Sequence, residues 1–304
     1  MKIVVLGAAG MLGRALTLEL SAGHEVIGRD LGNYDLCDPA AAARDLEELR
    51  PDAVINCAAF TRVDDAEDSP ELAMEVNGRM PGRLAGICAE LPAVFVQLGT
   101  DYIFDGTAER PYREDDPPNP LSVYGRSKWE AEKRVRAALP DRHLIVRSSW
   151  LFGVGGRSFP LALIERLQKG ERAFQVVNDQ RGRPTYAPDL AAAIRAGLEK
   201  NLRGTYHAGN AGIVSWHEFA RMIFSALGVL HHLTLTPVSS DQWRCKARRP
   251  RYSALDTGKL EAAGVALPTV EDALGRYFEA MGLIAAGAIR GILPTMSEAE
   301  IVKL

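Results

Sequence analysis

Five short apolar runs, each separated from the next by a stretch of helical periodicity, leave this chain little choice of fold. "KIVVL", "HEVIGR", "AVINCAA", "AVFVQL" and "HLIVRSSW" read as strands, and between them run "MLGRALTLELSA", "DPAAAARDLEELR", "PELAMEVNGRMPGRLAGICAEL" and "SVYGRSKWEAEKRV". Strands that are apolar throughout must be covered on both faces. Strand–helix alternation does this with a parallel sheet between two helical layers. The sequence therefore predicts an α/β fold, a Rossmann-type doubly wound sheet over residues 1–150. Beyond Trp150 the rhythm loosens, and 151–185 with 209–282 read as a smaller C-terminal lobe. The helix and strand in 186–208 return to the first domain, and 283–304 form a tail. Ser215 and Glu218 stand at capping-box spacing before "FARMIFSALG".

Composition narrows the partner. The 304 residues are 47% hydrophobic, enough for a large core, and the net charge of −3 is interspersed rather than blocked. This argues against nucleic acid or an anionic membrane and for a small molecule. Cys37, Cys57, Cys88 and Cys245 lack metal-ligand or CxxC spacing, no signal peptide precedes the first strand, and no apolar stretch approaches the roughly 20 residues of a bilayer span. The expectation is a soluble, reduced, cytoplasmic protein without a structural metal.

Between the first strand and the first helix, "GAAGMLG" sets Gly7, Gly10 and Gly13 at three-residue spacing. Such a loop lets backbone approach a pyrophosphate, and the helix behind it offers unpaired N–H groups with about half a positive charge. A nicotinamide dinucleotide is the implied cofactor. About 20 residues further on, "GRD" places Arg29 and Asp30 at the end of the second strand, where the adenosine ribose is read. Arg29 suits a 2′-phosphate and Asp30 a 2′-hydroxyl. Alternation puts them on opposite sides, and NADPH is expected to be favoured, with Asp30 turned away and NADH also used.

"AVFVQLGTDYIFDG" ends a strand at Thr100, at the edge of the sheet where ligands gather. The helix that follows carries Tyr124 and Lys128 four apart, on one face. A ketone that accepts hydride also needs a proton, and a phenol of pKa about 10 is a slow donor at neutral pH. Lowering it by about 3 units takes roughly 4 kcal/mol, about what one cation 4 Å away supplies at an effective dielectric of 20. Thr100, Tyr124 and Lys128 are thus the candidate catalytic set.

In order, "GAAGMLG", "RPDAVINCAAFTRVDDAE", "GTDYIFDG", "PLSVYGRSKWEAEK", "VRSSWLFG", "VNDQRGRPTYAPDLA" and "RRPRYSALDTGKL" resemble the dTDP-4-dehydrorhamnose reductases, a branch of the short-chain dehydrogenase/reductase superfamily, over roughly residues 1–280. The resemblance implies a Rossmann domain with a C-terminal substrate-binding lobe. It implies reduction of the C4 ketone of a dTDP-4-keto-6-deoxyhexose by NADPH or NADH, giving dTDP-L-rhamnose. It further implies that Gly7, Gly10, Met11, Leu12 and Gly13 carry the pyrophosphate, Asp35 and Leu36 flank adenine, and Ala58, Ala59 and Thr61 line the cofactor cleft. Asp101, Trp150, Arg183, Thr185 and Arg249 would meet the substrate, Trp150 by packing on the sugar. Asn77 would brace the site, and the acidic run "VDDAED" reads as a solvated helix start. The family usually writes serine where Gly99 stands. Sugar-nucleotide dehydratases and epimerases and a non-catalytic NADP-binding subunit are similar chains too, but the first usually has an acid where Tyr102 stands, and the last does not need the intact triad. Oligomeric state is left open, a homodimer included.

Overall fold

The structure, a computed structural model, describes residues 1–30, 38–242 and 245–284. The first half runs β1 (Lys2–Leu6), α1 (Met11–Ser21), β2 (Glu25–Arg29), α2 (Pro39–Leu49), β3 (Ala53–Asn56), α3 (Val63–Asp68) and α4 (Pro70–Met74). It continues with α5 (Met80–Ala89), β4 (Val94–Thr100), α6 (Val123–Ala138) and β5 (His143–Ser148). The second half has β6 (Leu151–Phe152), α7 (Phe159–Gln168), β7 (Ala173–Val177), β8 (Arg181–Gly182), β9 (Thr185–Tyr186), α8 (Ala187–Glu199) and β10 (Gly204–His207). Then come β11 (Val214–Ser215), α9 (Trp216–Ala226), β12 (Thr234–Val238), α10 (Gly258–Ala262) and α11 (Val270–Ala280).

Six strands form one parallel sheet in the order β10-β5-β4-β3-β1-β2. The chain runs outward from β1 to β2 and then crosses back to β3. The strand order therefore reverses between β1 and β3, which opens a crevice at their carboxyl ends. Alternation explains why "KIVVL" is apolar throughout. Ile3 and Val5 face a cluster with Leu12, Leu16 and Ile194, while Val4 and Leu6 face one with Leu46, Leu84 and Phe95. Truncating one of these buried leucines to alanine costs about 2–5 kcal/mol.

Residues 186–208 run back along the sheet: α8 packs on α1, and β10 pairs with β5. Leu260 and Val265, expected in the smaller lobe, instead join the sheet cluster, because α10 lies against β10. The lobe has its own core, built on Phe152, Phe174, Phe219, Phe224 and Tyr277. Its helix α9 starts with the predicted capping box, Ser215 Oγ accepting the Glu218 N–H at 3.0 Å and the Ser215 N–H donating to Glu218 Oε2 at 2.7 Å. The long helical region before β4 carries one π-helical turn at Glu75–Arg79. Among the described residues no helix is long and apolar enough to cross a membrane.

Candidate active site

The glycine loop follows β1 directly. Gly7 sits at φ +80°, and a Cβ there would meet the Ala58 nitrogen at 2.8 Å, so the loop after β3 closes tightly over it. A Cβ on Gly13 would lie 2.1 Å from the Gly7 carbonyl oxygen, which fixes α1 close behind the turn. Gly10 caps α1 without a side chain, and Ala9 and Gly10 are exposed. The first-turn N–H groups around Met11, Leu12 and Gly13 therefore have no side-chain acceptor from the cap residue, and the positive end of the helix faces the crevice. A dinucleotide pyrophosphate fits this cradle. Ala58 and Ala59 are half-buried beside it, and Thr61 is exposed. Asp35 and Leu36 lie outside the described residues.

At the end of β2 the alternation is the reverse of that expected. Asp30 turns toward the loop, both carboxylate oxygens accepting the Ala9 N–H at 2.8 and 2.9 Å. Arg29 shares the face of Leu6 and α2, where Asp45 holds it in a two-pronged pair at 2.8 and 3.0 Å. Contact between Arg29 and a 2′-phosphate then competes with Asp45.

The structure places Thr100, Tyr124 and Lys128 at the carboxyl end of β4 and the start of α6. Thr100 is the last residue of β4, and its hydroxyl lies close enough to the Tyr124 phenol to favour the phenolate. Tyr124 lies in the first turn of α6, which is capped by Ser122 Oγ accepting the Gly125 N–H at 3.0 Å. The Lys128 ammonium is buried and donates to the Leu98 carbonyl at 2.6 Å. The expected depression of the phenol by this lysine is corrected. Burial pushes Tyr124 up to about 12, while burial draws Lys128 down to about 8 against the opposing charge of Glu132. The ammonium is aimed at a carbonyl, so desolvation of the phenol outweighs its field.

Gly99 has a steric reason. A Cβ there would lie 2.6 Å from Arg147 Cγ and 2.9 Å from Glu132 Oε1, the members of a buried ion pair at 2.8 Å. Asn77 does brace the site. Its side chain accepts the Phe60 N–H at 2.7 Å and donates to the Phe60 carbonyl at 3.0 Å and to Ser127 Oγ at 3.2 Å.

The substrate-end residues divide. Arg249 lines a cavity of about 230 Å³ with Phe159, Gln175, Gln180, Trp216 and Cys245. Asp101 is buried beside Thr100. Trp150 stacks on Trp216, centroids 3.5 Å apart and planes 7° from parallel, so that face is taken rather than free to pack on a sugar. Arg183 donates to the Leu255 carbonyl at 3.0 Å and the Asn210 carbonyl at 3.1 Å, and fully buried Thr185 to the Arg183 carbonyl at 3.3 Å, contacts that tie loops together.

Sequence reasoning missed the work of "VDDAED". Asp64 on α3 receives Arg249 at 2.8 Å and the Ala247 N–H at 3.0 Å, Asp68 pairs with Lys246, and Glu67 accepts the Val123 N–H at 2.8 Å. One short helix thus holds both the start of α6 and the strap formed by residues 245–257. Ser253 on that strap, also missed, donates to Asp101 at 2.5 Å. The alternating charge of the strap and α3 was the available signal. Among the described residues no three His, Cys, Asp or Glu side chains are placed to hold a metal.

A doubly wound sheet with a glycine loop after β1, a strand-end threonine and a Tyr-x-x-x-Lys helix defines a short-chain dehydrogenase/reductase. The family model described as RmlD substrate binding domain matches residues 1–282. A dTDP-4-dehydrorhamnose reductase of Streptomyces griseus is 44% identical over 86% of this chain and 88% of its own length. The crystal structure of a dTDP-4-dehydrorhamnose reductase from Clostridium acetobutylicum ATCC 824 superposes with a TM-score of 0.88 at 36% identity, covering 93% of this chain and all of that one. A Bacillus anthracis str. Ames dTDP-4-dehydrorhamnose reductase, in complex with NADP, gives 0.86 at 34% identity, covering 92% and 99%. The chain belongs to the dTDP-4-dehydrorhamnose reductase family.

Proposed function

We propose that the protein reduces the C4 ketone of dTDP-4-dehydro-6-deoxy-L-mannose to dTDP-L-rhamnose, with NADPH as reductant and NADH also accepted. The observation that carries this reading is the neighbouring Thr100 and Tyr124 hydroxyls with the buried Lys128 ammonium on the same helix, at the carboxyl end of β4 and next to an uncapped helix N-terminus. When bound, the dinucleotide supplies hydride to the C4 carbon. Met11 and Leu12 at the start of α1 hold its pyrophosphate through backbone N–H groups, Gly7, Gly10 and Gly13 let it approach closely, and Lys128 holds its ribose.

Tyr124 donates the proton to the substrate oxygen. Its raised value keeps the phenol protonated throughout the physiological range, and an alkoxide is a stronger base than a phenolate, so the transfer runs downhill. Arg249 and the aromatic walls Phe159 and Trp216 suit the thymidine diphosphate end, a cation for the diphosphate and flat faces for the base. We place residues 1–150 and 186–208 in the cofactor domain, and most of 151–185 and 209–282 in the substrate lobe. A cytoplasmic setting agrees with the thiols of Cys57 and Cys88, which are free and pushed up by burial to about 12, far from redox-active values.

The test is purified protein with NADPH and dTDP-4-keto-6-deoxyhexose. One NADPH oxidised per sugar, with dTDP-L-rhamnose as product, is the expected result. Tight dinucleotide retention without net oxidation would point to an epimerase or a regulatory subunit and overturn it.

A further inference from the structure

The Thr100 hydroxyl has one hydrogen and two lone pairs, and the hydrogen and one lone pair are engaged. It donates to Asp101 Oδ1 at 3.2 Å and accepts the Tyr102 N–H at 3.3 Å, with the Tyr124 phenol close by. A hydroxyl whose hydrogen points at a carboxylate has none left for a substrate oxygen. On its other side the same carboxylate receives Ser253 Oγ at 2.5 Å, within the range of an O–H···O⁻ bond. Thr100, Asp101 and Ser253 are all buried, Thr100 at 6% exposure and the other two at 2%.

We infer that Asp101 and Ser253 are positioning residues that set the direction of the Thr100 hydroxyl, Ser253 reaching across from the substrate lobe to hold Asp101 as the acceptor of the Thr100 hydrogen. This rests on the reductase reading above. While Asp101 is a carboxylate it accepts from both hydroxyls, and Tyr124 is the sole donor to the substrate oxygen. Once Asp101 is protonated its own hydrogen serves Thr100 or Ser253, and the Thr100 hydrogen turns to the substrate oxygen. Reduction is faster in the second state, which has one more donor and one fewer anion beside the developing alkoxide.

The groups facing Asp101 leave it free to act. They are Tyr102 on its own turn, Tyr124 on α6, and Arg249 on the strap, whose charge bears on Tyr102. Both phenols are raised by burial and stay neutral, and Arg249 stays a cation beside Asp64. Burial pushes the Asp101 carboxyl up to about 7 against the bonds from Ser253 and Thr100. Lys128, on the same helix as Tyr124, loses its charge about one unit higher, so the two limbs of a pH profile separate.

The experiment is kcat against pH for wild type, Ser253→Ala, Ser253→Thr and Asp101→Asn. Wild type should lose activity as pH rises through a limb near 7. Removing a hydrogen bond that favours the carboxylate should move this limb up by about one unit in Ser253→Ala, and the threonine hydroxyl should restore it. Asp101→Asn, whose amide donates to Thr100 at every pH, should lack it. A wild type without a limb near 7 overturns the inference. So does a Ser253→Ala enzyme slowed equally at every pH with the limb unmoved, the mark of a merely structural role. Should that variant not fold, the wild-type and Asp101→Asn profiles decide alone. Absence of turnover in wild type would instead sink the reductase reading.

Discussion

Burial pulls the Lys128 ammonium down to about 8, so the unfolded chain holds this proton more tightly than the folded one. Stability then rises with pH between about 8 and 10.5, and at pH 7 the buried charge subtracts on the order of 3 kcal/mol. Lys128→Met is expected to raise the melting temperature by a few degrees at pH 7 while reducing kcat at least about 10²-fold. The Leu98 carbonyl keeps its bond from Gln97 Nε2 at 2.9 Å, so no orphaned acceptor offsets the gain. A lower melting temperature by calorimetry would refute the stability half. Tyr124→Phe removes only the proton donor, and kcat should fall at least about 10²-fold with NADPH affinity kept within a few-fold. An unchanged kcat removes Tyr124 from the chemistry. At the end of β2 the carboxylate of Asp30 lies on the glycine loop and opposes a 2′-phosphate, so Asp30→Asn should raise the NADPH to NADH ratio of kcat/KM by about tenfold. A ratio that stays put would return the choice to Arg29 and Asp45.

Helix α6 is the element whose first turn carries Tyr124, and two side chains fix that turn. Ser122 caps it from within, and Glu67 reaches across from α3 to the Val123 N–H. Ser122→Ala and Glu67→Gln should each cost about 1 kcal/mol of stability and lower kcat several-fold, leaving the KM for the sugar nucleotide unchanged. Equal loss in kcat and in sugar binding would mean that α3 acts through the strap instead. This helix also shows what the chain made legible. The Tyr-x-x-x-Lys spacing, the strand-end Thr100 and the glycines are local patterns, set by periodicity and by turn geometry, and they are readable without a structure. Ser253 and Asp101 stand 152 positions apart, and Arg249 and Asp64 185 apart. Their pairing depends on how the lobe seats on the sheet, which no local period encodes. Asp30 and Arg29 were read with the right alternation and the wrong origin, because the strand's phase is fixed by Leu6 beside it.

Across the whole molecule the two cores carry separate tasks, the sheet holding the dinucleotide crevice and the lobe the cavity with Arg249. NADPH and dTDP should therefore each stabilise the protein alone, by about 2.7 kcal/mol at a hundredfold excess over Kd. In a thermal-shift titration, Arg249→Ala should lose the dTDP response and keep that of NADPH. Loss of both responses, or of neither, would contradict this division. The stacked Trp150 and Trp216 have a further consequence, since two indoles 3.5 Å apart and nearly parallel absorb as a coupled pair rather than singly. Their absorption and near-ultraviolet circular dichroism therefore differ from those of two separate indoles, and a single Trp216→Phe change would abolish the coupling. The stacked pair is thus a built-in optical reporter whose Trp216 lies on the wall of the cavity, and events there can be followed in solution without any added label.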